Sequence, residues 1–151
     1  MRNIMIAAAV AAGAVASPAL ANEARIESRA GIAWAQGDEE VVAGIAAGYD
    51  YDLGTKTFVG AEASADKVLD KGSDVLFGLS LRGGLKTSEA GKLYVLGGYT
   101  FTTADSDYDS IHAGAGYQHD LGNQLFAKVE YRRYFEGVDV NTAGVGIGYR
   151  F

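Results

Sequence analysis

The sequence predicts an all-β fold, an eight-stranded antiparallel up-and-down transmembrane β-barrel. Three observations predict it. Apolar residues recur at every second position along most of the chain, small and charged residues fill the positions between them, and aromatic residues gather near the ends of the alternating segments. Strict alternation is the signature of a strand with two unlike faces.

The first segment stands apart from that pattern. "MRNIMIAAAVAAGAVASPALA" has Arg2 as a positive start, an apolar run from Ile4 to Ala16, then Pro18 and the small-residue cleavage signal Ala19-Leu20-Ala21. The run falls short of the ~18–20 apolar residues of a spanning helix, so residues 1–21 read as a cleaved signal peptide. Residues 22–151 then form the barrel. Loss of Arg2 shifts the formal net charge from −6 to about −7.

The alternation begins at once in the remaining chain. "RIESRAGIAW" sets Ile26, Ser28, Ala30, Ile32 and Trp34 against Glu27, Arg29, Gly31 and Ala33. "VVAGIAAGYDY" sets Val41, Ala43, Ile45, Ala47, Tyr49 and Tyr51 against Val42, Gly44, Ala46, Gly48 and Asp50. "FVGAEASA" follows with Val59, Ala61, Ala63 and Ala65 opposite Glu62, and "VLFGLSLRG" with Val75, Phe77, Leu79 and Leu81 opposite Arg82. "LYVLGGYTF" carries Leu93, Val95, Tyr99 and Phe101 on one face; "IHAGAGYQ" carries Ile111, Ala113, Ala115 and Tyr117 opposite His112. "LFAKVEYR" sets Leu125, Ala127, Val129 and Tyr131 against Lys128, Glu130 and Arg132, and "GVGIGYRF" closes the chain with Val145, Ile147, Tyr149 and Phe151 opposite Arg150.

Eight alternating segments admit a soluble barrel with its apolar face inward or a membrane barrel with that face outward, and the second face decides. Gly is abundant there, 21 in the chain, beside mid-strand charges of both signs. Glycine on a water-facing strand weakens the sheet without return, whereas a narrow eight-stranded lumen has room for small residues and a few long ones. The aromatics agree. Trp34, Tyr99, Phe101 and Tyr131 close one end of the rising strands and Tyr49, Tyr51 and Tyr117, with Tyr149 and Phe151, the other end of the descending ones, as two interfacial girdles require.

With the amino terminus on the periplasmic side, the outer connections are expected near Gln36–Glu40, Asp66–Asp74, Thr102–Asp107 and Phe135–Asp139, the inner turns near Asp52–Thr55, Lys86–Lys92 and Asp120–Asn123. Short outer connections leave little surface for a receptor or host protein. Asp105, Asp107 and Asp109 open like a calcium loop, but Ser110 stands where that loop needs Gly and Gly116 where it needs Glu, so a solvated acidic rim is expected and no metal site. The negative balance argues against a nucleic-acid partner, and the absence of Cys excludes disulfides.

The expected site is the lumen. Glu27, Arg29, Glu62, Arg82, Lys128, Glu130, Arg132 and Arg150 share the non-lipid face, and unpaired buried charge costs several kcal/mol, about 3–5. They are expected to form a salt-bridge ladder, chiefly Glu62 and Glu130 with Arg82, Lys128 and Arg132, that plugs the barrel; a narrow ion path along the same residues is the rival. Gly144, Gly146 and Gly148 are expected as inward positions kept small for long neighbours. Ser110, His112 and Glu130 invite a hydrolase triad, yet they would point into the lumen, away from any acyl chain, so no enzyme site is expected.

The closing residues Val145, Ile147, Tyr149 and Phe151 resemble the carboxy-terminal signal of outer-membrane proteins, and "FAKVEYRRYF" with "NTAGVGIGYRF" resembles the last hairpin of small OmpA/OmpX-type, opacity-like barrels of the outer-membrane β-barrel family. That resemblance implies a place in a Gram-negative outer membrane and recognition by the barrel-assembly machinery; a monomer in contact with outer-membrane lipid and lipopolysaccharide is expected. No cofactor is implied.

Overall fold

The computed structural model describes residues 22–70, 73–102, 109–135, 137 and 139–151. The signal segment with Ala19 and Ala21, and Asp105 and Asp107, lie outside them. Eight strands follow one another: β1 Glu23–Ala35, β2 Asp38–Asp52, β3 Thr57–Val68, β4 Val75–Lys86, β5 Gly91–Thr102, β6 Asp109–Gly122, β7 Leu125–Phe135 and β8 Val140–Arg150. Each pairs antiparallel with its sequence neighbours, and β1 pairs with β8 from Arg25↔Arg150 to Trp34↔Asn141, closing the barrel without a free edge. Closure is what permits a sheet in lipid, because every ladder group finds a partner.

The strands run 11 to 15 residues, at or beyond the upper end of the ~9–11 needed to cross the hydrocarbon. They therefore extend past the boundaries that alternation alone suggests, since polar strand ends carry no apolar period. Several expectations change as a result, and Lys92 falls in β5 and Asp120 in β6 rather than in inner turns. Asp38, Glu39 and Glu40 belong to β2, and the β1–β2 connection is only Gln36-Gly37, both with positive φ (49° and 100°). Such a two-residue turn matches the twist of the strands it joins. Asp66 lies in β3 rather than in an outer loop, which gives it a lumen partner.

The two faces separate as the alternation implies. Outward lie Ile45, Leu79, Leu81, Val95, Ile111 and Val145, each more than half exposed. Inward lie Arg25, Glu27, Asp50, Glu62, Arg82, Lys128 and Arg132, all buried. Phe58, Tyr94, Leu96 and Phe126 are also buried and fill the interior between them. Trp34 and Tyr131 meet at 6.2 Å at the loop end, and Tyr149 meets Phe151 at 5.2 Å at the turn end. Tyr99, Phe101, Tyr49, Tyr51 and Tyr117 take the same face at the strand ends where alternation puts them.

The outward face can be tested by charge. Leu81→Arg should cost about 2–4 kcal/mol in equilibrium urea unfolding from lipid vesicles, the depth-dependent cost of an arginine near the bilayer midplane. A change below about 0.5 kcal/mol, the scale of a surface substitution, would place Leu81 in water.

Candidate functional site

The lumen is the chemically distinctive region, and its geometry follows from a simple rule of register. Adjacent strands stand about 4.8 Å apart, so inward residues two strands apart are separated by roughly 10 Å. Long side chains can bridge that gap only if the residue between them has no side chain. The sequence supplies glycine there. Arg25 pairs with Gly48 on β2, and Gly48 with Glu62 on β3; Arg25 Nη2 then reaches Glu62 Oε2 at 2.9 Å. Arg29, Gly44 and Asp66 form the next such row, with Arg29 Nε donating to Asp66 Oδ1 at 2.7 Å. Asp50, Gly60 and Arg82 form a third, with Arg82 Nε donating to Asp50 Oδ1 at 2.8 Å.

The same device joins uncharged side chains to their partners on the other wall. Ser80 and His112 flank Gly98, and Ser80 Oγ lies 2.8 Å from His112 Nε2. Tyr94 and Glu130 flank Gly116, and the Tyr94 hydroxyl donates to Glu130 Oε2 at 2.7 Å. A Cβ at Gly48 would stand 2.6 Å from Arg25 Nη2, and one at Gly98 would stand 2.9 Å from His112 Nε2. Gly146 leaves room for the Lys128 stem and Gly148 for the Phe126 ring, whereas Gly144 faces the backbone of Ala30.

The charges form two tiers. Toward the loop end, Arg25, Arg29, Lys128 and Arg132 meet Glu27, Glu62, Asp66 and Glu130, four cations to four carboxylates. Within it Lys128 Nζ is 2.5 Å from Glu27 and 3.0 Å from Glu130, and Arg132 is 2.6 Å from Glu62 and 2.5 Å from Glu130. Toward the turn end, Arg82, Lys86, Lys92 and Arg150 meet Asp50, Asp52, Glu23 and Asp120, again four to four. Arg25 joins the tiers through Asp50 at 3.9 Å. Arg82 also lies over the Tyr94 ring at 4.8 Å, with Gln118 as a further acceptor.

This corrects the expected ladder in one respect. Arg82 does not meet Glu62 or Glu130; Gly60 opens its path to Asp50 instead, and it belongs with Arg150 in the turn-end tier. Glu27, Arg29, Glu62, Lys128, Glu130 and Arg132 come together in the other. Arg25, Asp50, Asp52, Asp66, Lys86, Lys92, Glu23 and Asp120 join the tiers beyond the expected set. Arg25 and Asp50 had the right parity for the inner face, and the glycine opposite each was the available signal. Asp66 and Lys92 were hidden by underestimated strand ends.

Ser110, His112 and Glu130 do not come together as a triad. Ser110 Oγ donates to the Ile111 carbonyl, His112 is held between Ser80 and Thr100 (2.9 Å to Nδ1), and Glu130 is taken by Tyr94, Lys128 and Arg132. Among the described residues no cluster of metal-ligating side chains occurs. A space of about 220 Å³ opens at the loop end beside Arg29, Asp66, Arg132 and Tyr134, and one of about 340 Å³ at the turn end beside Glu23, Lys92, Asp120 and Arg150. The residues between them, Arg25, Glu27, Glu62 and Lys128, are at most 5% exposed.

A closed sheet that is apolar outside and charged inside defines a membrane β-barrel. A family model for the outer membrane protein beta-barrel domain matches residues 6–151, and the chain belongs to that family. Ail, the attachment invasion locus protein of Yersinia pestis, matches in structure with a TM-score of 0.64 at 17% identity, over 86% of this chain and 97% of that one. Neisserial surface protein A matches with 0.58 at 12% identity, over 86% and 97%. The amino-terminal barrel domain of Pseudomonas aeruginosa OprF matches with 0.57 at 19% identity, over 84% and 97%. At these identities the likeness is one of fold. No protein of curated function matches the sequence.

Two glycines give a test. Gly60→Val should drive Asp50 and Arg82 apart and cost about 3–5 kcal/mol, the range for breaking a buried pair. Gly97→Ala, whose new methyl would find nothing nearer than 3.7 Å, should be tolerated. Equal losses in urea unfolding would contradict the row rule.

Proposed function

We propose that the protein is an integral outer-membrane barrel of a Gram-negative bacterium with a structural, membrane-stabilising role and a plugged lumen. Export follows from removal of residues 1–21, assembly from the Val145, Ile147, Tyr149 and Phe151 face of β8, and the working form is a monomer among lipid and lipopolysaccharide. The observation that carries the plug is the layer of Arg25, Glu27, Glu62 and Lys128, buried and mutually paired between the two end spaces. An ion crossing it must displace several salt bridges at once, and each freed charge would stand in a poorly solvated interior.

A low-conductance pore is the second reading, favoured by the openings of about 220 and 340 Å³ that approach the layer from both ends. Planar-bilayer recording of refolded residues 22–151, with folding verified by the gel shift on boiling, separates the two. The plugged barrel should be silent. Discrete openings that widen with Arg82→Ala or Glu130→Ala would instead put an ion path along the charged tiers.

A further inference from the structure

The turn-end opening is lined by a carboxylate with one oxygen that has no partner. Its lining includes four carboxylates, Glu23, Asp52, Glu89 and Asp120, against three cations, Lys86, Lys92 and Arg150. The cations are engaged: Lys86 with Asp52, Lys92 with Glu23 at 2.9 Å, and Arg150 bridging Glu23 at 3.1 Å and Asp120 at 2.8 Å. Asp120 uses only Oδ2 for Arg150; its Oδ1 is buried and meets no hydrogen-bond donor. A buried acceptor left open on an anion is costly. The same opening is lined by Asn22, the residue immediately ahead of β1, together with Asp120.

We propose that signal-peptide removal supplies a partner for that oxygen: the new amino terminus at Asn22 is an ammonium that pairs with Asp120 and latches the mouth of the barrel beside the β1–β8 seam. The inference rests on the export reading. Hydrolysis adds water across the Ala21–Asn22 amide, leaving a carboxylate on Ala21 and an amine on Asn22 that is protonated below its ordinary pKa of ~7.7–8.0. Before cleavage that nitrogen is an uncharged amide, so processing itself turns the contact on. The latch ties β1 to β6 across the mouth, where Arg150 of β8 is already bound to both Glu23 and Asp120. A group that gains an acidic partner on folding has its pKa raised, so its contribution is present below the unfolded value and disappears at higher pH.

The test begins with protein exported through its own leader and purified from membranes, whose intact mass reads the amino terminus. It is compared with the same chain carrying one extra methionine ahead of Asn22, each with Asp120 and with Asp120→Asn, by the midpoint temperature of the folded-to-unfolded gel shift. At about pH 6.5 the extra residue should lower the midpoint by roughly 2–4 °C with Asp120, and by much less with Asp120→Asn; at about pH 9.5 the difference should vanish. An exported chain that retains residues 1–21 would overturn the export reading and the latch with it. A chain that begins at Asn22 but shows no effect of the extension, or the same effect with and without Asp120, would overturn the latch alone.

Discussion

The structure depends on one constraint: a narrow lumen holds sixteen charged side chains among the described residues, and each must find an opposite charge from another strand. Neighbouring strands are too close for two long side chains to lie side by side at every level, and strands two apart are too far for short ones. Placing glycine on the intervening strand resolves both problems. Arg25 reaches Glu62 over Gly48, Arg29 reaches Asp66 over Gly44, and Arg82 reaches Asp50 over Gly60. The glycine content that weakens an ordinary sheet is here the condition for pairing the interior.

The rows also fix the register. A slip of one residue between strands would turn charges into lipid and apolar residues into the lumen, at several kcal/mol per charge, about 2–4 near the midplane. A slip of two residues keeps the faces but sets a side chain rather than glycine between the partners. Both errors are therefore penalised by the same residues. The charge balance within each tier has a related consequence. The interior is neutral overall, and the chain's surplus of acidic residues falls largely at the loop end, in or beside the connections that hold Asp70, Asp74 and Asp139. Pairing in the lumen and negative charge at the rim are thus set independently.

Much of this was legible in the sequence, for identifiable reasons. A period of two is robust where one face meets lipid, so the strand count, the outward residues and the inward charges could be read from positions such as Leu79, Leu81, Glu62 and Arg132. Strand ends were not legible, because Asp38, Asp66 and Lys92 are polar on a polar face and carry no contrast. Partner choice was harder still. Arg82 and Glu130 have complementary charge and the same parity, and only the register shows that Arg82 faces Asp50 while Glu130 faces Tyr94. The glycines encoded that information, but it becomes readable only when three strands are aligned.

Solved structures at 12–19% identity share the barrel, so the fold alone does not distinguish what this chain does; the particular pairing inside it is where its own properties reside. The direct test of the central claim is a double-mutant cycle on Asp50 and Arg82 by urea unfolding in lipid vesicles, using Asp50→Asn, Arg82→Met and both together. If pairing across glycine holds the interior, each single change strands a buried partner and costs about 3–5 kcal/mol, and the double change costs no more than either alone. Losses that simply add would contradict the account, because they would mean that the two residues contribute without each other.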